Sequence, residues 1–404
     1  MSGPLAGLRI FDLTRILAGP TATQVLGDLG ADVIKIERPG QGDDTRKWGP
    51  PYLKDTAGRD TSESAYYLAA NRNKRSITID LEQQAGQALA RRLIGKSDIL
   101  FENFKVGGLA KYGLGYDQLK DDFPGLIYCS LTGFGQTGPY APRAGYDLLA
   151  QAMGGLMSIT GERGGPPVKV GVGIADLVTG LYCVTGILAA LHHRHATGLG
   201  QHIDLALLDS QVSFLVNEGL NHLIGGVIPK AWGTEHATIV PYGAFPTADG
   251  HVILAIGNDG QFRKFCVFAG APALADDPRF RTNSDRLHNR DALMPVMSDL
   301  TRHRPTAHWV DGLAPLGVPC GPVNTIDKVF QDPQVQARGM KIAMDHPKAG
   351  RPIPLIASPI KMSRTPVDYR HAPPTLGQHT DEVLRELLAM DDAEIQRLRD
   401  SGVV

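Results

Sequence analysis

Asp176 is the residue whose type and setting most invite chemistry. It opens a run in which Leu177, Leu181, Val184, Leu188 and Leu191 recur at helical spacing, and it is the only charge between Val170 and Leu191. A carboxylate there has two readings. It is a common helix cap that satisfies the free N–H groups of a first turn. In a dry pocket it is also a nucleophile towards an activated acyl group. Residue chemistry alone leaves both open. Basic side chains gather at Glu37-Arg38, which follows a predicted strand, and at Asn71-Arg72-Asn73-Lys74-Arg75, which precedes one. Arg and Lys at strand ends suit a phosphorylated ligand, and a solvated charge run looks the same in sequence. The loop Gly257-Asn258-Asp259-Gly260-Gln261 could offer backbone N–H groups to a developing oxyanion. An ordinary strand-to-helix turn fits it equally well.

Several other chemistries are excluded. The first strand-to-helix turn, LTRILAGPTA, has no G-x-G-x-x-G, so a dinucleotide pyrophosphate lacks its close backbone approach despite the acid Glu37 at the end of the second strand. There is neither a Walker A loop nor a G-x-S-x-G elbow. His192, His193 and His195 fit a helix end better than a metal site, because adjacent helical residues point about 100° apart. No metal is expected. Cys129, Cys183, Cys266 and Cys320 are widely spaced with no C-x-x-C pair, which reads as four core thiols in a reducing compartment.

These residues must be held by an α/β scaffold. Strands are predicted at Leu8–Leu13, Asp32–Glu37, Arg75–Leu81, Asp98–Phe104, Leu126–Leu131 and His202–Leu207. Helices are predicted at Thr21–Leu29, Gln83–Ile94, Asp176–His193 and Ser210–Leu223. The alternation favours a parallel, Rossmann-like sheet. After Gly225 the texture changes to a hairpin, Tyr242–Pro246 with His251–Ile256, and then short helices, as in a smaller α+β domain. Two helices, Asp381–Met390 and Asp392–Ser401, close the chain. The 404 residues carry 41 basic and 42 acidic side chains, so no net field attracts nucleic acid or an anionic membrane. The apolar run after Val170 is long enough to span a bilayer, but its glycines, threonines and early carboxylate favour a buried helix. The start MSGPLAGLRIFDL has no secretory or transit pattern, and a cytoplasmic protein is expected.

Taken in order, GLRIFDLTRILAGP, GADVIKIERPGQGDDTR, NRNKRSITIDL, ENF, SLTGFGQTGP, RAGYD, the IADLVTG-to-AALHHR helix, GNDGQF, GVPCGPVNTIDKVFQDPQVQARGM and LGQHTDEVL resemble the class III CoA-transferase family over nearly the whole chain. The resemblance implies covalent catalysis by Asp176 through aspartyl anhydride and aspartyl-CoA thioester intermediates. It also implies a covering loop at Gly257–Gly260, with Gln261 orienting the acyl oxygen. Arg38, Arg72, Lys74, Arg75, Asn103, Phe104 and Lys105 resemble the family's CoA-contacting positions. Lys105-Val106 stands where many relatives have Arg-Pro, and lysine lacks the bidentate fork. CoA and acyl-CoA would be substrates, with no tightly bound cofactor.

GDDTRKWGPPY, AYYLAANRNKRS, AWGTEHATIVPY and PPTLGQHT are similar to the succinyl-CoA:dicarboxylate subgroup, which implies a succinyl-CoA donor and a C4–C6 dicarboxylate acceptor. Arg15, Arg46, Lys169 and His236 are candidates for its distal carboxylate, with Tyr146 beside them. The rival readings are a 2-methylacyl-CoA racemase and a non-catalytic CoA-binding protein. Tyr146 stands where racemases carry a histidine base, which disfavours the first. The implied fold is an interlocked, ring-shaped homodimer. Each chain would have a large domain begun by residues 1–205, a linker helix over 206–225, a small domain over 226–325, and a return to the large domain over 326–404.

Overall fold

The computed structural model describes residues 3–404. Six short runs rich in β-branched and aromatic residues form one parallel sheet. They are β1 (Arg9–Asp12), β2 (Asp32–Glu37), β3 (Lys74–Thr78), β4 (Ile99–Glu102), β5 (Ile127–Thr132) and β6 (His202–Ala206). The spatial order is β3-β2-β1-β4-β5-β6, and every neighbouring pair is parallel. Most of these strands are buried on both faces, so they read as apolar runs rather than as an alternation. On one face Phe11, Ile34, Ile77 and Leu100 pack with the helix Gln84–Ile94 and the C-terminal helices through Val383, Leu384 and Ile395. On the other face Ile10, Val33, Phe101 and Ile127 pack with the helices Ala18–Asp28 and Ile174–Thr197. Those two helices pass very close at Gly180, where a Cβ would stand 2.7 Å from the carbonyl oxygen of Ala18. Any side chain there would force the helices apart.

The helix Ile174–Thr197 ends as the sequence implies. Gly198 takes a left-handed φ of 77°, and Arg194 and His195 occupy the last turn. It is long and apolar enough to cross a bilayer, but its inner face, Ala175, Thr179, Cys183 and Ile187, is buried against the sheet. All four cysteines are free thiols. The expected single helix Ser210–Leu223 is instead two, Leu207–Ser213 and Val216–Gly225. The break falls where Val216 takes a φ of 46°, a left-handed backbone that ends a regular helix and that β-branched residues rarely adopt. An antiparallel ribbon, Tyr52–Lys54 with Asp60–Ser64, was not legible in the polar sequence around it.

The chain divides into two compact units. The larger runs to Leu156 and resumes over Lys169–Gly225 and Gln334–Val404. The smaller comprises Met157–Val168 and Gly226–Pro333. Three boundaries therefore differ from expectation, one being that the smaller unit continues to Pro333 rather than ending at residue 325. The 206–225 helices belong to the larger unit rather than forming a linker, and a short excursion at Met157–Val168 joins the smaller one. The smaller unit is built on an antiparallel sheet, with Gly250–Ala255 between Tyr242–Thr247 and Cys320–Pro322, packed on a core around Phe245, Phe262, Phe265 and Trp309.

Candidate active site

In an open α/β sheet, ligands bind beyond the carboxyl ends of the strands where the strand order reverses. Here that place lies between β1 and β4. Two cavities open on the turns that leave these strands. One, of about 190 Å³, is lined by Leu13, Arg15, Arg38, Asp80, Leu81, Glu82, Phe104 and Tyr112 among others. The other, of about 430 Å³, is lined by Arg15, Leu17, Asn103, Phe104, Lys105, Lys111, Arg143, Tyr146 and Asp176 among others. Arg15 and Phe104 line both, so the two adjoin at these side chains and form one groove region at the strand ends.

Buried polar groups fix the turns of this groove. Asp12, at the end of β1, accepts from the amide and hydroxyl of Thr14 and from the hydroxyl of Thr23. Lys35 donates to the carbonyl of Thr14 and to Asp43, at 2.9 Å each. Ile16 is held at a φ of 75°, a left-handed backbone that costs a non-glycine residue about 1–3 kcal/mol. Asn103 clasps the preceding residue from both sides, accepting from the amide of Arg15 at 3.0 Å and donating to its carbonyl at 2.8 Å. Glu102, which ends β4, accepts from the amide of Phe104 at 2.7 Å. Burial pushes its carboxyl up to about 7.

Asp176 is the third residue of its helix, after the N-cap Gly173. The capping role belongs to a different acid. Asp147 accepts from the amides of Ala175 and Asp176, at 2.8 and 3.2 Å, and from the side chain of Gln151 at 2.6 Å. Among the described residues the Asp176 carboxylate has no hydrogen-bond partner of its own, although it is only 9% exposed. Burial, with the nearby charge of Asp147 added, pushes it up to about 7. The result is a carboxylate freed from capping, poorly hydrated and facing a cavity, which is the environment of a nucleophile. The phenol of Tyr66 is raised by burial and then by the charges of Asp176, Asp147 and Asp43, which sets it in the same field.

Of the residues singled out from sequence, Arg15, Arg38, Asn103, Phe104, Lys105, Tyr146 and Asp176 line the groove. Arg38 is exposed and pairs loosely with Glu82 at 3.4 Å. Arg72, Lys74 and Arg75 do not line it and are buried. Arg72 forks onto Asp28 at 2.6 and 2.9 Å, and Arg75 joins Asp32 and Glu386 at 2.6 Å each. Lys74 donates to the Pro20 carbonyl and to Asn71, and burial pushes its ammonium down to about 7. These three cations already have partners within the protein and stand outside the groove lining. Arg46 is likewise unavailable to a substrate carboxylate, because Glu37, Glu63 and the hydroxyl of Tyr67 hold it at 2.6–2.8 Å.

Lys169 donates to the carbonyls of Val170 and Gly171 and lies outside the groove lining. His236, in the smaller unit, accepts from the amide of Thr238. In that unit Gly257–Gly260 is a strand-to-helix turn capped by Asn258, which accepts from the amide of Gln261 at 2.9 Å. The Gln261 side chain is tied to the Gly257 amide and the Gly317 carbonyl. Four participants were missed: Asp147, Tyr66, Lys111 and Arg143. Asp147 and Arg143 lie within RAGYD, where the order Gly-Tyr-Asp just before an apolar helix was the available signal.

Residues 5–380 match the pattern of CoA-transferase family III. The chain belongs to this family. It is 50% identical over 384 residues to the succinate–glutarate CoA-transferase of Agrobacterium fabrum, covering 95% of this chain and 96% of that one. It is 45% identical over 401 residues to the human succinyl-CoA:glutarate CoA-transferase, covering 99% and 90%. Among solved structures it is similar to a CAIB/BAIF family protein from Brucella suis, with a TM-score of 0.86 and 48% identity, covering 96% of this chain and all of that one. The groove of this family III enzyme therefore carries a free, buried carboxylate within a set of cations that suits a phosphorylated thioester.

Proposed function

We propose that this enzyme transfers CoA from succinyl-CoA to a C4–C6 dicarboxylate through covalent intermediates on Asp176. One observation carries this reading: Asp147 caps the helix, and Asp176 is thereby left unpartnered in the cavity. The CoA nucleotide lies in the cavity beside Arg38, and the pantetheine arm runs past Phe104 to Asp176. An Asp176 oxygen attacks the thioester carbonyl, the C–S bond breaks, and CoA thiolate leaves a mixed anhydride. The thiolate then attacks the aspartyl carbonyl, releasing succinate and forming an aspartyl-CoA thioester. The acceptor carboxylate attacks that thioester and expels CoA thiolate again. Attack of the thiolate on the acceptor acyl carbon gives the new acyl-CoA and restores Asp176. Each anhydride conserves the activation of the thioester, provided water is kept out.

We further propose an interlocked homodimer, supported by the exposed apolar side chains Leu181, Tyr182, Val212, Phe214, Leu220, Leu223 and Ile224 on one chain. The free thiols support a cytoplasmic setting. The test of the transferase reading is incubation with succinyl-CoA and glutarate. Glutaryl-CoA should accumulate with wild type and not with Asp176→Ala. Glutaryl-CoA formed at the wild-type rate by Asp176→Ala would overturn the mechanism.

A further inference from the structure

We infer that Arg143 is the residue that selects a dicarboxylate, by binding its distal carboxylate; this rests on the transferase reading above. The cavity around Asp176 is lined by four cations, Arg15, Lys105, Lys111 and Arg143, and by one acid, Asp176. The four are not equivalent. Arg15 already pairs with Asp44 at 3.1 Å and also lines the cavity beside Arg38. Lys105 is shared with a third cavity, beyond Phe104, and Lys111 has its ammonium over the ring of Tyr112, which lines the Arg38 cavity. Arg143 lies on the stretch from Ala141 to Tyr146, a wall that neither neighbouring cavity shares. A CoA chain arriving from the Arg38 side leaves that wall to the acyl group.

Arg143 is exposed and has no carboxylate partner among the described residues, but it is not loose. Its guanidinium lies 4.5 Å from the ring centre of Tyr140 and 5.2 Å from that of Phe134, and those two rings meet edge-on at 5.6 Å. The base of the loop is pinched where Gly133 and Gly145 touch. A Cβ on either would stand about 2.5 Å from the other's Cα. Stacking occupies a face of the guanidinium and leaves its edge N–H groups for a planar, bidentate carboxylate contact. A neutral or monocarboxylic acceptor has no group for that contact.

The test compares glutarate with monomethyl glutarate as acceptors, using succinyl-CoA as donor. In a two-step exchange, kcat/KM for the acceptor starts from the aspartyl-CoA enzyme, so slower donor loading does not enter it. With Arg143→Met, kcat/KM for glutarate should fall about 50-fold, the size of a lost charge-assisted contact, while that for the monoester stays unchanged. Arg143→Lys keeps the charge without the fork and should recover only part of the loss. An unchanged preference, or equal losses with both acceptors, overturns the assignment. If wild type forms neither acyl-CoA product, the transferase reading itself fails and this inference fails with it.

Discussion

Two sets of cations in this molecule have the same chemistry and opposite fates. Arg72, Lys74 and Arg75 are buried in ion pairs and hydrogen bonds, whereas Arg15, Arg38, Lys105 and Arg143 line a groove. Position along the strands separates most of them. Arg72 and Lys74 stand at or before the start of β3, while Arg15, Arg38 and Lys105 each follow the carboxyl end of a strand. In a parallel sheet the strand starts are packed under loops, and the carboxyl ends open on the ligand. A basic run that precedes a strand is therefore better read as an ion-pair girdle, and one that follows a strand as a phosphate or carboxylate contact.

The sharpest way to break this comparison is to remove a charge on the buried side. Arg72→Met leaves Asp28 buried without its ion-pair partner, with only the Asn73 side chain still donating to it, and should lower unfolding free energy by about 3 kcal/mol in denaturant titration. Activity per folded molecule should stay unchanged, and a selective rise in the acyl-CoA KM would return Arg72 to the groove. The converse effect is expected at Asp176, the proposed nucleophile. Asp176 has its carboxyl raised from an ordinary 3.8 to about 7 in the folded state. The folded chain therefore holds a proton that the unfolded chain loses, and this costs stability progressively as pH rises from about 4 to 7. Asp176→Asn should remove the cost, stabilising the protein by about 4 kcal/mol at pH 8 and by almost nothing at pH 4. Equal melting temperatures for the two proteins at pH 8 would mean that Asp176 is well hydrated.

On the groove side, Arg38→Met should raise KM for succinyl-CoA about 10-fold with kcat and melting temperature unchanged. The smallest shift concerns the partner of Asp176. With wild type, kcat/KM for succinyl-CoA should rise with pH through about 7, as the Asp176 carboxyl ionises. Asp147→Asn keeps an oxygen for the cap but removes the repelling charge. That rising limb should move down by about one pH unit. A limb that stays in place would leave burial as the whole cause.

Much of the fold was legible because the apolar runs of the sheet are short, regular and separated by clear turns. All six strands of the sheet and the long apolar helix follow directly from the sequence pattern. The split at Val216 was not legible, because the backbone reverses without a glycine or proline to announce it. The site was legible in part. Asp176, Arg38 and the Asn103-Phe104-Lys105 turn follow from motif and order, but Asp147 was not identified as the cap. From sequence, one acid at a helix start looks like its own cap. Only the folded chain brings a second acid, Asp147 at the start of the helix Asp147–Met153, to take that role and leave Asp176 free.

The central claim is that Asp176 forms a covalent bond to substrate. Enzyme incubated with succinyl-CoA and then quenched with hydroxylamine should yield, by peptide mass spectrometry, a hydroxamate on the peptide that carries Asp176. The modification should be absent in Asp176→Asn and absent when CoA replaces succinyl-CoA. Normal glutaryl-CoA formation with no trappable adduct at Asp176, or an adduct at another carboxylate, would contradict the account.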